Sequence, residues 1–333
     1  MQKRRRTENV ILLHLLPLLH LFLLFPLFPL FPLKICYTYR IIMSLPAMPQ
    51  LIGAGDIIIR SWENLRKNIH AYAEMVVWIV VLGVVQWTLS VILQAVIPEK
   101  AARVSLYLLL SIPGSLAFLA VTAAMIDITV KGLTNRKIDV RESIHIGFHK
   151  LLSLLWVALL VSLVTCVLGA LPFAIPGIMA LLWLNTAPQW LSIMIVMLLM
   201  LGMLAAFVIP LVLFVWLKFA PYHVIADDVR GTGALFASRN LVVGRWWAAF
   251  LRIIIPLLFF VITARFLKAL IYLILGSALN DPGMFFGEIT DVDQLSRTHT
   301  LITTIVPQTI DGFALALFLG ADIALWLDLK KKG

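Results

Sequence analysis

Charge is scarce in this chain. Asp, Glu, Lys and Arg make up 13% of its 333 residues, about half the share carried by a soluble domain. Cysteine is nearly absent: Cys36 lies in an N-terminal low-complexity stretch and Cys166 inside an apolar run. Neither a disulfide framework nor a cysteine-based zinc site can be built from that pair. The sequence also lacks a phosphate-binding loop, a G-x-S-x-G nucleophile turn and an H-E-x-x-H zinc motif, which are the commonest signs of nucleotide, acyl-transfer and metalloprotease chemistry. The expectation is a protein that is not an enzyme and that needs no cofactor or metal.

Hydrophobic residues supply what is missing, at 62% of the chain. Several runs exceed the roughly 20 apolar residues that cross a bilayer as a helix, and the short alternating segments of a membrane barrel are not seen. The fold class is therefore all-α, a polytopic membrane helix bundle. The formal charge of +10 would suggest nucleic acid on a soluble protein. Here the basic residues flank apolar runs, which is the pattern that orients membrane helices, so no nucleic-acid partner is expected.

Residues 1–42 form a low-complexity extension. Lys3-Arg4-Arg5-Arg6 precedes a Leu/Phe-rich run broken by Pro17, Pro26, Pro29 and Pro32. A basic region before an apolar run resembles an anchor, yet four prolines interrupt any helix there. Translated upstream sequence before a start at Met43 is the other reading. Residues 43–332 read as one integral-membrane domain. An amphipathic lead-in with Ile57, Ile58, Ile59, Trp62 and Leu65 on one broad face comes first. Spans follow over about 70–97 and 104–128. The next apolar stretch, 151–184, contains Leu171-Pro-Phe-Ala-Ile-Pro-Gly177, which predicts a span to about Gly169 followed by an interfacial or re-entrant piece. Further spans are expected near 190–217, 246–275 and 301–327, with one long acidic loop over 277–300.

A weak internal repeat underlies this order. Asn64-Leu65, Lys150-Leu151 and Asn240-Leu241 recur at similar points in three amphipathic segments, and Pro113, Pro210 and Pro307 are evenly spaced in the second span of each pair. The unit is an interfacial helix plus two transmembrane helices, giving six spans as three parallel repeats over about 51–130, 138–218 and 228–329. Most basic residues then fall on one side, while the opposite loops hold only Lys100, Arg103 and Arg297. That bias predicts a multi-pass plasma-membrane protein with both termini cytoplasmic.

The run Pro221-Tyr-His-Val-Ile-Ala-Asp-Asp228, then Ala234-Leu-Phe-Ala-Ser-Arg-Asn-Leu-Val-Val-Gly-Arg245, and the ending Leu325-Trp-Leu-Asp-Leu-Lys-Lys-Lys332 resemble the prokaryotic membrane-domain family associated with glycerophosphoryl diester phosphodiesterases and its stand-alone relatives. The resemblance covers about residues 51–332. It implies architecture and no catalysis, because no His-Arg-Gly start and no stretch able to hold the catalytic barrel are present.

Several side chains are candidates for a site. Arg265 and Lys268 lie one turn apart in the fifth apolar run, and Asp311 lies in the sixth. Counting 1.5 Å per residue, Arg265 stands about 27 Å from Trp247 and Asp311 about 28 Å from Lys330, so all three reach one depth. Ionisable groups inside a membrane tend to pair and to mark function, so the three could bind or gate an anionic ligand, or form a structural pair with a basic side chain reaching the interface. Arg239, Arg245 and Arg252 are the expected contacts to lipid headgroups. Glu142, His145 and His149 share one helix face, at a spacing that suits either a metal or solvent. Asp227 and Asp228 are expected to start the helix that follows them. Asp322 is expected to be buried and hydrogen-bonded, Gln86 to bond between helices, and Gly114, Gly177 and Gly202 to mark bends or close helix contacts. The functional expectation is an integral membrane protein working through lipid or protein contacts at its cytoplasmic interface, with membrane lipids, a protein partner or a second copy as partners. The alternative is a small-solute or lipid transporter, suggested by the break at Pro172–Gly177 and the prolines in each second span.

Overall fold

A computed structural model describes residues 51–97, 99–183, 188–279 and 297–332. The low-complexity extension, the turn near 185 and most of the acidic loop lie outside the described residues. The described helices belong to one compact unit, Leu51–Gly333. In order they are α1 (Ala54–Lys67), α2 (Ile69–Val96), α3 (Lys100–Leu133), α4 (Val140–Trp183), α5 (Gln189–Leu217), α6 (Ala220–Ala226), α7 (Thr232–Val242), α8 (Trp246–Leu279) and α9 (Arg297–Lys332). Six of these, α2, α3, α4, α5, α8 and α9, contain stretches long and apolar enough to cross a membrane. The chain is a multi-pass integral membrane protein.

The last span is the post on which α2, α3 and α8 lean. In its most apolar window α9 is 61% buried, against 11–22% for the other five. It packs against α1, α2, α3 and α8, while α4 and α5 form a hairpin held to α3. The sequence explains why α9 can be central. Its inner half alternates small residues with large ones, so Ala316, Ala321 and Ala324 are buried beside Leu319, Ile323, Leu325 and Trp326. Gly320 lets α1 approach: a Cβ there would lie 2.5 Å from Ser61 Oγ. Close approach over small residues is how helices associate where lipid is as apolar as the side chains.

Three expectations change. On α1, Ile57, Ser61, Asn64 and Leu65 form the buried face, whereas Ile59 and Trp62 point outward. Two polar residues lie inside because each finds a partner there. Ser61 donates to the Leu317 carbonyl, and Asn64 donates to Tyr72 Oη at 2.7 Å. Since Thr129 Oγ1 donates to the Met125 carbonyl, Tyr72 must donate to Thr129 at 2.9 Å. The polar chain is thereby closed.

Second, α4 has no break. It is 44 residues long with Pro172 and Pro176 inside it, about 66 Å at 1.5 Å per residue. The surface piece at Val140–Lys150 therefore runs straight into the span. No glycine or proline lies between Gly147 and Gly169 to stop it. The junctions after α1 and α7 do break. Asn68 leaves helical geometry at the first, and Gly244 takes φ 81° at the second, a conformation glycine adopts freely. The interruption expected at Pro172 is instead a close contact, because the Gly202 position on α5 sits against the Pro172 carbonyl.

Third, Asp227 and Asp228 do not start α7. Gly231 holds its N-cap position and no side chain caps it.

Candidate functional site

The polar residues collect at the end of the bundle where α4 begins and α9 ends. The segment after α5 turns inward: α6 buries Tyr222, His223, Val224 and Ile225. Backbone geometry makes the turn, since Asp227 and Val229 both donate to the His223 carbonyl. Asp228 takes φ 56°, which aspartate tolerates better than most residues.

Two linked clusters result. In the deeper one, Asp322 of α9 is buried and accepts from Lys218 Nζ at 2.9 Å and from Tyr222 Oη at 2.9 Å. The Lys218 ammonium also lies 4.1 Å from the Phe318 ring centroid and 5.2 Å from that of Phe214. Aromatic faces and a carboxylate thus take the place of its water shell.

In the second cluster, Trp326 Nε1 donates to His223 Nε2 at 3.3 Å. An indole nitrogen can only donate, so His223 Nε2 carries no proton and Nδ1 holds it. Nδ1 donates to Asp227 Oδ2 at 2.8 Å, and Lys330 meets the other oxygen of Asp227 at 2.5 Å. Next to this, Lys150 bonds Asp228. That hydrogen bond, with the charge behind it, holds the Asp228 carboxyl below its ordinary value.

The same end ties the chain together across long sequence separations. Arg252 donates through Nε to the Ile52 carbonyl at 2.6 Å and through Nη2 to the Leu51 carbonyl at 3.3 Å. Asp328 accepts from the Ile52 backbone N–H at 2.9 Å, and Arg245 donates to the Lys332 carbonyl at 2.6 Å. Arg245 and Arg252 are half-buried and bonded to backbone, while Arg239 is exposed beside the Trp216 ring at 5.3 Å. Arg252→Gln should release the lead-in. Amide hydrogen exchange of Leu51–Gly55 is expected to speed up about tenfold, as loss of a charged hydrogen bond implies. Unchanged exchange would mean that Asp328 alone holds the lead-in.

Of the intramembrane trio, Lys268 and Asp311 meet at 2.5 Å, but Arg265 is exposed and has no ion-pair partner among the described residues. Asp311 is 59% exposed, so the pair lies on the rim of the bundle and not in an enclosed cavity. His145 and His149 stack at 6.5 Å on an exposed face, while Glu142 turns to Lys131 at 3.2 Å. Among the described residues no group of three or more His, Cys, Asp or Glu side chains converges as metal ligands would. Gln86 packs near Gly114.

No family model, curated protein or solved structure matches this chain.

Lys218, Tyr222, His223 and Trp326 had no signal in the sequence strong enough to single them out. The nearest was Asp322, a lone carboxylate deep in an apolar run, which required a buried partner from some other helix.

Proposed function

We propose that this is a non-enzymatic protein of the plasma membrane that works by contact with anionic lipid headgroups at its basic, cytoplasmic end. One observation carries the reading. Two sets stand out among the cations at this end. Lys131, Lys150, Lys218, Lys330, Arg245 and Arg252 are engaged by carboxylates or backbone carbonyls. Arg66, Arg136, Lys137 and Arg141 are exposed, with no ion-pair partner among the described residues. Lys67 joins the two halves of this second set, donating from the end of α1 to Asn135 in the α3–α4 connection at 2.9 Å. Asn135 takes φ 52° and turns the connection under α1. The apolar side chains Ile59 and Trp62 project from the same helix at 55% and 57% exposure, as an interfacial helix requires.

Arg245 and Arg252 are bonded to backbone carbonyls, so this set takes their place as the headgroup contacts, and exposed Arg239 is retained alongside it. The arrangement also favours the orientation with this end cytoplasmic, where anionic lipid is concentrated. The transporter alternative drew on a break in the third apolar stretch and on the prolines in each second span; α4 is continuous through Pro172 and Pro176, and Pro113, Pro210 and Pro307 lie inside helices, so neither feature opens a broken segment.

The test is a variant with Arg66, Arg136, Lys137 and Arg141 all changed to Gln, placed in nanodiscs of mixed phosphatidylglycerol and phosphatidylcholine. Spin-labelled lipids report the selectivity of the contacting shell. Each exposed cation contributes about 1 kcal/mol at an anionic surface, so the preference for phosphatidylglycerol should fall at least fivefold. A preference equal to that of the unchanged protein would sink the reading. Partner capture without a lipid effect would move the same surface to a protein ligand.

A further inference from the structure

At the other end of the bundle a half-open pocket of about 180 Å³ lies between α2 and α3, lined by Ser90, Leu93, Gln94, Arg103, Val104, Tyr107 and Leu108. We propose that this pocket holds the phosphate ester of a phospholipid in the leaflet opposite the basic end. The inference is independent of the reading above, which concerns different residues at the other face.

Four polar side chains converge there from two helices. Ser90 and Gln94 are four apart on α2, and Arg103 and Tyr107 are four apart on α3. Each pair therefore lies on one face of its helix. Counting outward from the connection between the two helices, Gln94 falls level with Arg103, and Ser90 level with Tyr107. Every one of these groups can donate a hydrogen bond, and no carboxylate lines the pocket. Arg103 is half-buried and has no ion-pair partner among the described residues. Its guanidinium is the one charge in the pocket, and its planar fork matches the two free oxygens of a phosphodiester.

Depth selects the source of the anion. Arg103 lies about 36 Å along α3 from Asp127 at 1.5 Å per residue. That is one hydrocarbon thickness plus part of a headgroup layer, so Arg103 stands where the phosphates of the far leaflet lie. The volume is below the 300–1,000 Å³ typical of drug-sized ligands and suits a headgroup whose acyl chains remain outside. Leu93, Val104 and Leu108 border the polar groups and give the first methylenes of those chains an apolar path.

The experiment uses the full chain in detergent, with native mass spectrometry at graded additions of three probes: phosphatidylglycerol, diacylglycerol, which has no phosphate, and inorganic phosphate. With Arg66, Arg136, Lys137 and Arg141 changed to Gln as the background, so that the basic end is silent, one phosphatidylglycerol should bind per chain in preference to diacylglycerol. Arg103→Gln should weaken that binding by on the order of 10- to 100-fold, the loss of a charged, two-pronged hydrogen bond. Tyr107→Phe should weaken it by only about fivefold. Thermal unfolding and circular dichroism of each variant establish that it is folded, and Arg103→Lys supplies a charged variant should Arg103→Gln fail to fold. It should bind more weakly than the same background with Arg103 in place, because an ammonium cannot form the fork. Equal binding of diacylglycerol and phosphatidylglycerol, or unchanged binding by Arg103→Gln or Arg103→Lys, would overturn the proposal. Competition by inorganic phosphate at millimolar concentration, with no gain from acyl chains, would overturn the lipid source and leave a phosphate site.

Discussion

Asp322→Ala is expected to destabilise the folded bundle by about 3–5 kcal/mol, the cost of leaving a buried cation without its carboxylate. The cation is Lys218, whose side chain is 14% exposed. With Asp322 gone, only Phe214 and Phe318 face the ammonium, and Tyr222 Oη also loses its acceptor. Unfolding in mixed micelles with rising dodecyl sulfate gives the measurement. Replacing the whole group, with Lys218→Met, Tyr222→Phe and Asp322→Leu together, should recover most of the loss, because no charge then remains unpaired. Asp311→Ala is the control. Its pair with Lys268 is exposed on the carboxylate side and should change stability by less than about 1 kcal/mol. If Asp322→Ala costs no more than Asp311→Ala, the deep cluster does not hold the bundle together.

The second large effect is steric. At Gly147 on α4, a Cβ would lie 2.4 Å from the Ala120 carbonyl oxygen and 3.2 Å from the Ala124 nitrogen of α3. Both obstacles are backbone, so no side chain can swing aside and the helices must part. Gly147→Ala should therefore cost about 1–3 kcal/mol, even though alanine favours the helix by up to about 1 kcal/mol. Gly55 provides the comparison: nothing lies within 4 Å of its added Cβ, and Gly55→Ala should be neutral or slightly stabilising. The same micelle titration reads both, and equal stabilities would show that α3 and α4 are not in backbone contact at Gly147.

The spans were legible because length and apolarity decide them locally. Trp246 begins α8 as the sequence indicates, and Gln189–Leu217 differs from the expected fourth span by one residue. What composition could not show is which helix is central. α9 is the least apolar-looking of the six, with Thr304, Gln308, Asp311 and Asp322 along it, yet it is the most buried. A helix surrounded by protein can keep polar groups that a lipid-facing one must shed. The same reason hid the site. Asp322 required a partner, but nothing in the spacing of Lys218 or His223 pointed to α9, since those contacts cross about a hundred positions of sequence. The prolines misled in the other direction. Pro172 and Pro176 predict a break, but neighbouring helices support a helix through them, and α5 packs close enough to touch the Pro172 carbonyl. The three-part repeat seen in the sequence remains a pattern of the sequence.

The central position of α9 also bears on how the protein is made. It follows the other five spans in the chain, so α2, α3 and α8 enter the bilayer before the helix on which they pack. Until α9 arrives, Lys218 has no Asp322, His223 has no Trp326, and the lead-in at Ile52 has no Asp328. The groups that α9 completes must therefore wait unpaired, while the packing of α4 on α3 and α5 needs no contact from α9. The bundle is then completed in one late event, in which a single insertion satisfies several waiting groups together.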